Sequence, residues 1–164
     1  MTAGAVKGVI AMLEIRRYID TDHDEVWNLH ILGLQQVGAY LGNGPWDDDL
    51  HNIENVYLNN RGEFLVGTYE GHLIAMGAVR KTTDELAEIK RMRVHPDFQG
   101  HGFGQRILDE LEARALALGY KALHLDTSVV QLAAQHLYRK NGFRETGRVM
   151  LKGLECILFE KSLV

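Results

Sequence analysis

Cysteine, proline and long apolar runs are scarce in this chain of 164 residues, which holds one cysteine and two prolines. A single cysteine excludes an intrachain disulfide, which is typical of a reducing compartment, and we expect a cytoplasmic protein. Cys156 stands in the apolar run 156–159, which favours a buried and unreactive thiol. Because no apolar run reaches the ~18 residues of a membrane-spanning helix, we expect no association with a membrane.

Charge of one sign is not in large excess either. The formal net charge is −4 and the isoelectric point is about 6.0, whereas nucleic-acid-binding domains are usually basic. The eight histidines are scattered and lack the regular spacing of metal ligands. We therefore expect a globular protein that binds neither nucleic acid nor a metal.

Hydrophobic periodicity divides the chain into strands and helices. Alternating patterns predict strands at residues 13–19, 63–70, 72–81, 86–94, 122–126, 143–150 and 154–161. Helical spacing predicts helices from 21 or 22 to 37, near 48–57, over 107–118 and over 132–140. The order β-α-α-β-β-β-α-β-α-β-β predicts a mixed α/β sheet with an antiparallel front half. We expect one domain over residues 13–164, preceded by a disordered N-terminal segment at residues 1–12.

The third strand of the front half breaks the regular alternation. Ile89 is followed at odd spacing by Met92 and then by Val94, so these apolar residues cannot share one face of a regular strand. A β-bulge near Lys90 to Met92 would return all three to one face. The alternative is a strand covered on both faces, which needs no bulge.

Three glycines alternate between the end of this strand and the start of the next helix, at positions 100, 102 and 104. Glycine allows backbone N–H groups to approach a ligand closely, and a helix N-terminus favours an anion. This pattern predicts a phosphate or pyrophosphate site, although a turn without a ligand is an alternative. A nucleoside-triphosphate loop is excluded because its lysine motif is absent. A dinucleotide site stays open, since Asp126 lies where a ribose-binding acid belongs, but Gln105 replaces the third glycine.

Two sequence blocks carry a family resemblance. Residues 99–104 (QGHGFG) match the pattern Q/R-x-x-G-x-G/A, and residues 134–143 (AQHLYRKNGF) match A-x-x-L-Y-x-x-x-G-F. In their order and separation the blocks resemble the acyl-CoA signature of the GNAT superfamily. The resemblance covers roughly residues 13–161 and implies a GNAT-like α/β fold, with a mixed, mostly antiparallel sheet of six to seven strands flanked by about four helices.

The resemblance also implies a reaction. The chain is expected to be an N-acetyltransferase that transfers an acetyl group from acetyl-CoA to a primary amine of a small molecule or peptide, by direct attack in a ternary complex. The alternative is a catalytically silent acyl-CoA-binding sensor module. Members of the family often dimerise, so a homodimer is expected.

The cofactor-binding residues implied by the resemblance follow from the matched blocks. They are Met92, Arg93, Val94, Gln99, Gly100, His101, Gly102, Phe103, Gly104, Gln131, Tyr138 and Lys140. Two of these positions depart from many relatives: Gln131 stands where asparagine is common, and His101 stands where arginine or lysine is common. A histidine is less cationic at neutral pH than arginine or lysine, so we expect the backbone amides to provide most of the pyrophosphate binding.

Catalytic roles are implied for two residues. Tyr138 matches the family's tyrosine near the thioester sulfur and is the candidate general acid, with a core tyrosine as the alternative. Glu88 precedes the expected bulge and is the candidate base through a water molecule, with an ion-pair partner or a solvated residue as the alternative. Tyr40 and Trp46 are expected to line the acceptor pocket or to belong to the core.

Overall fold

A seven-stranded sheet forms the centre of the computed structural model, which describes residues 13–38, 40, 42 and 44–164. The strands are β1 (Glu14–Arg17), β2 (Glu63–Tyr69), β3 (His72–Lys81), β4 (Leu86–Val94), β5 (Ala122–Ser128), β6 (Arg144–Leu151) and β7 (Leu154–Ser162). Their spatial order is β1-β2-β3-β4-β5-β7-β6, in which β4 and β5 are parallel and the other neighbours are antiparallel. The mixed, mostly antiparallel sheet is confirmed. Residues 1–12 lie outside the described residues, and the single domain over 13–164 stays a prediction.

Three α-helices flank the sheet in the described part of the chain: α1 (His23–Gln36), α2 (Phe103–Ala117) and α3 (Leu132–Lys140). Shorter 3-10 turns span Asp20–Asp22, Pro45–His51 and Pro96–Phe98, and a π-helical turn spans Glu54–Leu58. None of the described helices is both long and apolar enough to cross a lipid bilayer.

The regular helix predicted near residues 48–57 is wrong. The chain instead forms the 3-10 turn and then the π-helical turn in this region. Asp47 and Asp49 are both buried, and two residues separated by two positions point to different sides of an α-helix. A tighter turn brings both carboxylates to the same buried partner, which the sequence pattern does not indicate.

Two apolar cores lie on opposite faces of the sheet. One core packs α2 and α3 against residues such as Ile89, Leu123 and Phe159. The other packs α1 and the turns of 45–58 against residues such as Phe64 and Met76. Strand β3 is buried along most of its length because its side chains are divided between the two cores. The sheet therefore separates two helical layers.

The predicted bulge in β4 is confirmed. Met76 pairs with Arg93 but Ala78 pairs with Lys90, so two residues of β4 oppose the single residue Gly77. Arg91 lies in the bulge, and its φ of 60° falls in the left-handed region. Beyond it, Met92 and Val94 pack against the same core as Ile89.

Strands β4 and β5 separate next to the bulge. Their pairing runs from Leu86 and Ala122 to Glu88 and His124, although both strands continue beyond these residues. The far half of β4 therefore has no strand partner on its β5 side in the described residues. This opening leaves an edge of β4 without a strand partner next to the glycine segment.

We expect Gly77→Ala to destabilise the protein by about 1–3 kcal/mol, because the added methyl group would overpack the bulge. Its Cβ would lie 2.5 Å from Met92 Sδ and 2.7 Å from Ile107 Cγ2. The matched control is Gly147→Ala in β6, where the nearest atom would be 3.9 Å away. Urea denaturation measures both, and equal unfolding free energies for the two variants would contradict the packing argument.

Candidate active site

Two cavities meet where β4 and β5 separate. The first has a volume of about 440 Å³ and lies between the end of β4, the glycine segment and α3. The second has a volume of about 350 Å³ and lies between α1, the chain around Trp46 and the β6–β7 turn. The residues that line both are Met92, Arg93, Gln131, Ala134 and Tyr138. A group bound in one cavity can therefore reach a group bound in the other at this junction.

The glycine segment has the geometry of an anion site. Gly100 and Gly102 adopt φ values of 77° and 82°, and no heavy atom lies within 4 Å of where their Cβ atoms would be. Helix α2 begins directly after Gly102, and no described side chain caps its N-terminus. The first N–H groups of the helix thus remain available, and its dipole adds partial positive charge.

A pair of amides connects the glycine segment to α1. Gln99 donates to the backbone oxygen of Val94 at 3.0 Å, and its side-chain amide exchanges hydrogen bonds of 2.8 and 3.0 Å with Gln36. Gln99 was predicted as a site residue, whereas Gln36 was not. The two residues are 63 positions apart, and no local pattern in the sequence joins them.

The other predicted cofactor residues fall into two groups. All of them line the first cavity except His101, which instead lies beside the Phe103 ring with centroids 6.2 Å apart. Gln131 turns its side-chain oxygen toward the end of β5, where it accepts from Thr127 Oγ1 at 3.0 Å and from Ser128 N at 3.1 Å. The amide nitrogen of Gln131 is left for the cavity junction.

Tyr138 is anchored in the core and borders both cavities. Its ring packs edge-on against Phe143 and lies beside Phe159, with centroids 5.6 and 6.2 Å away. Burial raises the pKa of the Tyr138 phenol, although the nearby charge of Arg93 opposes the increase. Its hydroxyl has no hydrogen-bond partner among the described residues. The phenol is therefore protonated at neutral pH and free to donate.

The second cavity contains the remaining candidates. Glu88 is half-buried there and forms no ion pair within the described residues. Tyr40 and Trp46 also line this cavity, and their role at an acceptor pocket stays a prediction. Tyr57, by contrast, is fully buried in the second core.

A buried ionic network forms one wall of the second cavity. Arg91 donates to both carboxylate oxygens of Asp49 and, at 2.7 Å, to the backbone oxygen of Trp46. The Tyr57 hydroxyl donates to the same Asp49 carboxylate. Asp47 contacts Arg91 at 3.5 Å and shares a 3.0 Å hydrogen bond with His30. This network fixes the bulge residue to the 3-10 turn that carries Trp46.

The network controls the protonation of its members. Burial alone would raise the pKa of Asp49, but the hydrogen bonds from Arg91 and Tyr57 and the charge of Arg91 outweigh it and lower the pKa to about 2. Burial and the charges of Arg93 and Arg91 lower the pKa of His30 to about 3, so this histidine is neutral at pH 7. Two members of the acidic run Asp47–Asp49 are therefore paired within the protein.

We expect Asp49→Asn to destabilise the protein by about 3–5 kcal/mol at neutral pH, because it leaves the buried Arg91 without its counterion. Since the pKa of Asp49 in the folded state lies below its ordinary value of 3.8, the stability contributed by this carboxylate is present above that pH and lost as pH falls toward 2. The difference in the free energy of unfolding between Asp49→Asn and the unaltered protein should therefore become smaller at acidic pH. Asp48→Asn, at the exposed neighbouring position, is the control and should change stability by at most about 0.5 kcal/mol. Denaturant titrations at several pH values measure the free energy of unfolding of each variant. Equal losses of stability from both substitutions would contradict the network's role.

No group of three or more His, Cys, Asp or Glu side chains within the described residues is arranged to hold a metal ion.

Comparison with known proteins identifies the family. Residues 10–143 match the model of the acetyltransferase (GNAT) family. The chain is 40% identical over 122 residues to an IAA acetyltransferase from Azospirillum brasilense, covering 70% of this chain and 76% of that protein. It is also 30% identical over 118 residues to the N-acetylaspartate synthetase of Xenopus tropicalis, covering 69% of this chain but 44% of that longer protein.

Solved structures share the fold. A GNAT-family acetyltransferase from Staphylococcus aureus has a TM-score of 0.86 at 20% identity, over 93% of this chain and 99% of that one. An acetyltransferase from Salmonella typhimurium, solved with its cofactor acetyl-CoA, has a TM-score of 0.76 at 18% identity, over 93% and 94% of the two chains. The chain therefore belongs to the GNAT family and is an N-acetyltransferase.

Proposed function

We propose that the first cavity holds acetyl-CoA, that the second holds a primary amine of a small molecule or peptide, and that acetyl transfer takes place where the cavities meet. The observation that carries this proposal is the set of side chains that line both cavities, among them Tyr138 and Met92. Two adjoining cavities with a common wall suit direct attack in a ternary complex, because both reactants can be bound at once.

The described residues fit the donor's charged end. Backbone N–H groups of Gln99 to Gly104 and the uncapped start of α2 suit a pyrophosphate. Open space above Gly100 and Gly102 admits a bulky anion close to the backbone. Lys140 lines the same cavity and adds a cation, while His101 has a lesser role because it lies outside the lining.

The described residues also fit an extended, amide-containing arm. Strand β4 has no strand partner on its β5 side beyond Glu88, so the arm can bind there as an additional strand. The backbone oxygens of Met92 and Val94 already accept from the side chains of Arg93 and Gln99 at 2.8 and 3.0 Å, so the arm would use their second lone pairs or replace these side chains. Next to them, a backbone N–H at the bulge is assigned to the thioester carbonyl, where it stabilises the negative charge that develops on oxygen. When bound, acetyl-CoA supplies an acetyl group activated as a thioester.

Tyr138 and Glu88 are assigned the two proton transfers. In the reaction a C–N bond forms and a C–S bond breaks; one proton leaves the amine and one is taken up by the departing sulfur. Tyr138 is protonated at neutral pH and provides the proton for sulfur. Glu88 lies on the acceptor side and receives the amine proton through water. Gln131 lies at the junction and orients the donor.

The acceptor side is bounded by rings and charges. Tyr40 and Trp46 are assigned to the wall that contacts the body of the acceptor.

The cytoplasmic location and the homodimer expected from the sequence stay predictions.

We expect Tyr138→Phe to lower kcat by about 100-fold or more, because the proton donor for the leaving thiolate is removed. Acetyl-CoA affinity, measured by thermal shift or calorimetry, should be unchanged because the ring is retained. Steady-state thiol release with an amine panel gives kcat. The matched control is Tyr18→Phe, which alters a buried tyrosine of the other core, and its kcat should equal that of the unaltered enzyme.

A normal kcat in Tyr138→Phe and in Glu88→Gln would contradict the assigned roles. Acetyl-CoA binding without turnover of any amine would contradict the transfer reaction itself and would indicate a binding module instead.

A further inference from the structure

Most of the charged side chains that line the second cavity have no ion-pair partner within the described residues. Seven charged side chains line it, and of these Asp47 and Arg91 are paired within the buried network. The other five form no ion pair within the described residues: Glu88, Lys90, Arg93, Asp126 and Lys152. This set contains both signs, so the cavity is complementary to a ligand that also carries both.

Arg93 is the most unusual member of this set. Its side chain packs under α1, where a Cβ at Gly33 would lie 2.8 Å from Arg93 Cδ. Its Nε is buried and has no hydrogen-bond partner, and one terminal nitrogen donates to the backbone oxygen of Met92 at 2.8 Å. Arg93 is half-buried as a residue, and a guanidinium partly withdrawn from water without an ion-pair partner is costly. Asp47 acts on it through space, but no described carboxylate forms an ion pair with it, which points to an anion brought by a ligand.

The acetyl donor does not provide this anion at the junction. The phosphates of acetyl-CoA belong at the glycine segment under the proposed function, and the arm that reaches the junction is uncharged. The acceptor is the reactant that remains. Its carboxylate would meet Arg93 at the wall shared by the two cavities, next to the site of transfer.

Lys152 adds a second cation from the opposite side. It lies in the β6–β7 turn with a φ of 53°, followed by Gly153 with a φ of 75°, and this turn directs it into the cavity lining. Burial and the charges of Arg91 and Lys90 lower the pKa of Lys152, which is the response of an ammonium among other cations. A bound carboxylate would relieve this repulsion.

The unpaired acids occupy the edge where β4 and β5 separate. Glu88 lies at the last paired position of β4, and Asp126 lies two residues beyond its partner on β5. Under the proposed function, this is the side on which the amine is bound. Lys90 lies two residues from Glu88 on the same strand, whereas Arg93 lies at the junction and Lys152 in the β6–β7 turn. Acids at the strand edge with cations at these two other positions match a molecule with an amine at one end and a carboxylate near it.

We propose that the acceptor is an amino acid with a free carboxylate, and that Arg93, assisted by Lys152, is the residue that selects it. This proposal rests on the proposed function, since it names the class of amine used by that same site. Polyamines and amines without a carboxylate are expected to be poor acceptors, because they leave Arg93 unpaired and bring further positive charge.

The first test compares matched acceptors. Phenylalanine, leucine and glutamine, whose side chains carry no carboxylate, are each assayed beside their α-carboxamides and their decarboxylated amines, by release of CoA thiol. At least one free acid should exceed its amide in kcat/KM by about tenfold or more. The amide has the less basic amine and therefore more of the reactive neutral form, so a preference for the acid cannot arise from amine reactivity.

The second test uses Arg93→Gln and Arg93→Lys, with Arg144→Gln as the matched control on the exposed surface of β6. Arg93→Gln should raise KM for the preferred amino acid about tenfold or more and bring the acid-to-amide ratio close to one. Arg93→Lys should retain part of the preference because the charge is kept. Arg144→Gln should change neither value.

The outcomes separate this proposal from the one on which it rests. Turnover of amines with equal or greater preference for amides or polyamines would overturn the carboxylate proposal and leave the acetyltransferase intact. Weaker acetyl-CoA binding by Arg93→Gln, with an unchanged acid-to-amide ratio, would assign Arg93 to the donor instead and overturn the proposal. Absence of turnover with every amine would refute the proposed function.

Discussion

A single left-handed residue in β4 sets the geometry on both sides of this sheet. A non-glycine residue in that conformation costs roughly 1–2 kcal/mol, and Arg91 adopts it with a φ of 60°. The cost is offset because this backbone directs the guanidinium onto Asp49 and the backbone oxygen of Trp46. The bulge, the opening beside β5 and the wall of the second cavity therefore depend on one buried ion pair.

The bulge also gives the two faces of β4 different roles. On one face Ile89, Met92 and Val94 maintain an unbroken apolar core. On the other face, the charged residues of β4 all line the second cavity. In a regular strand the alternation of side chains would point some of them to the opposite face. Gly77 permits this change of face, because the space that a larger side chain at position 77 would fill is occupied by Met92.

Local patterns predicted most of the fold and most residues that line the first cavity. The parity change after Ile89 indicated the bulge, and the alternating glycines indicated the segment that is proposed to bind the pyrophosphate. The irregular turns of 45–58 were not predictable, because they are set by Arg91, which is 42 positions from Asp49 along the chain. For the same reason no spacing in the sequence indicated the contact of Gln36 with Gln99, or the position of Lys152 at the second cavity.

Helix α1 contacts both cavities, and this has a thermodynamic consequence. His30 and Leu34 line the second cavity, while Gln36, two residues after Leu34, holds the glycine segment through Gln99. A shift of this helix on binding at one cavity would move a wall of the other. Linkage would then require that each reactant alter the affinity of its companion by the same factor. The paired amides of Gln36 and Gln99 are the contact through which such coupling would pass, whichever reactant arrives first.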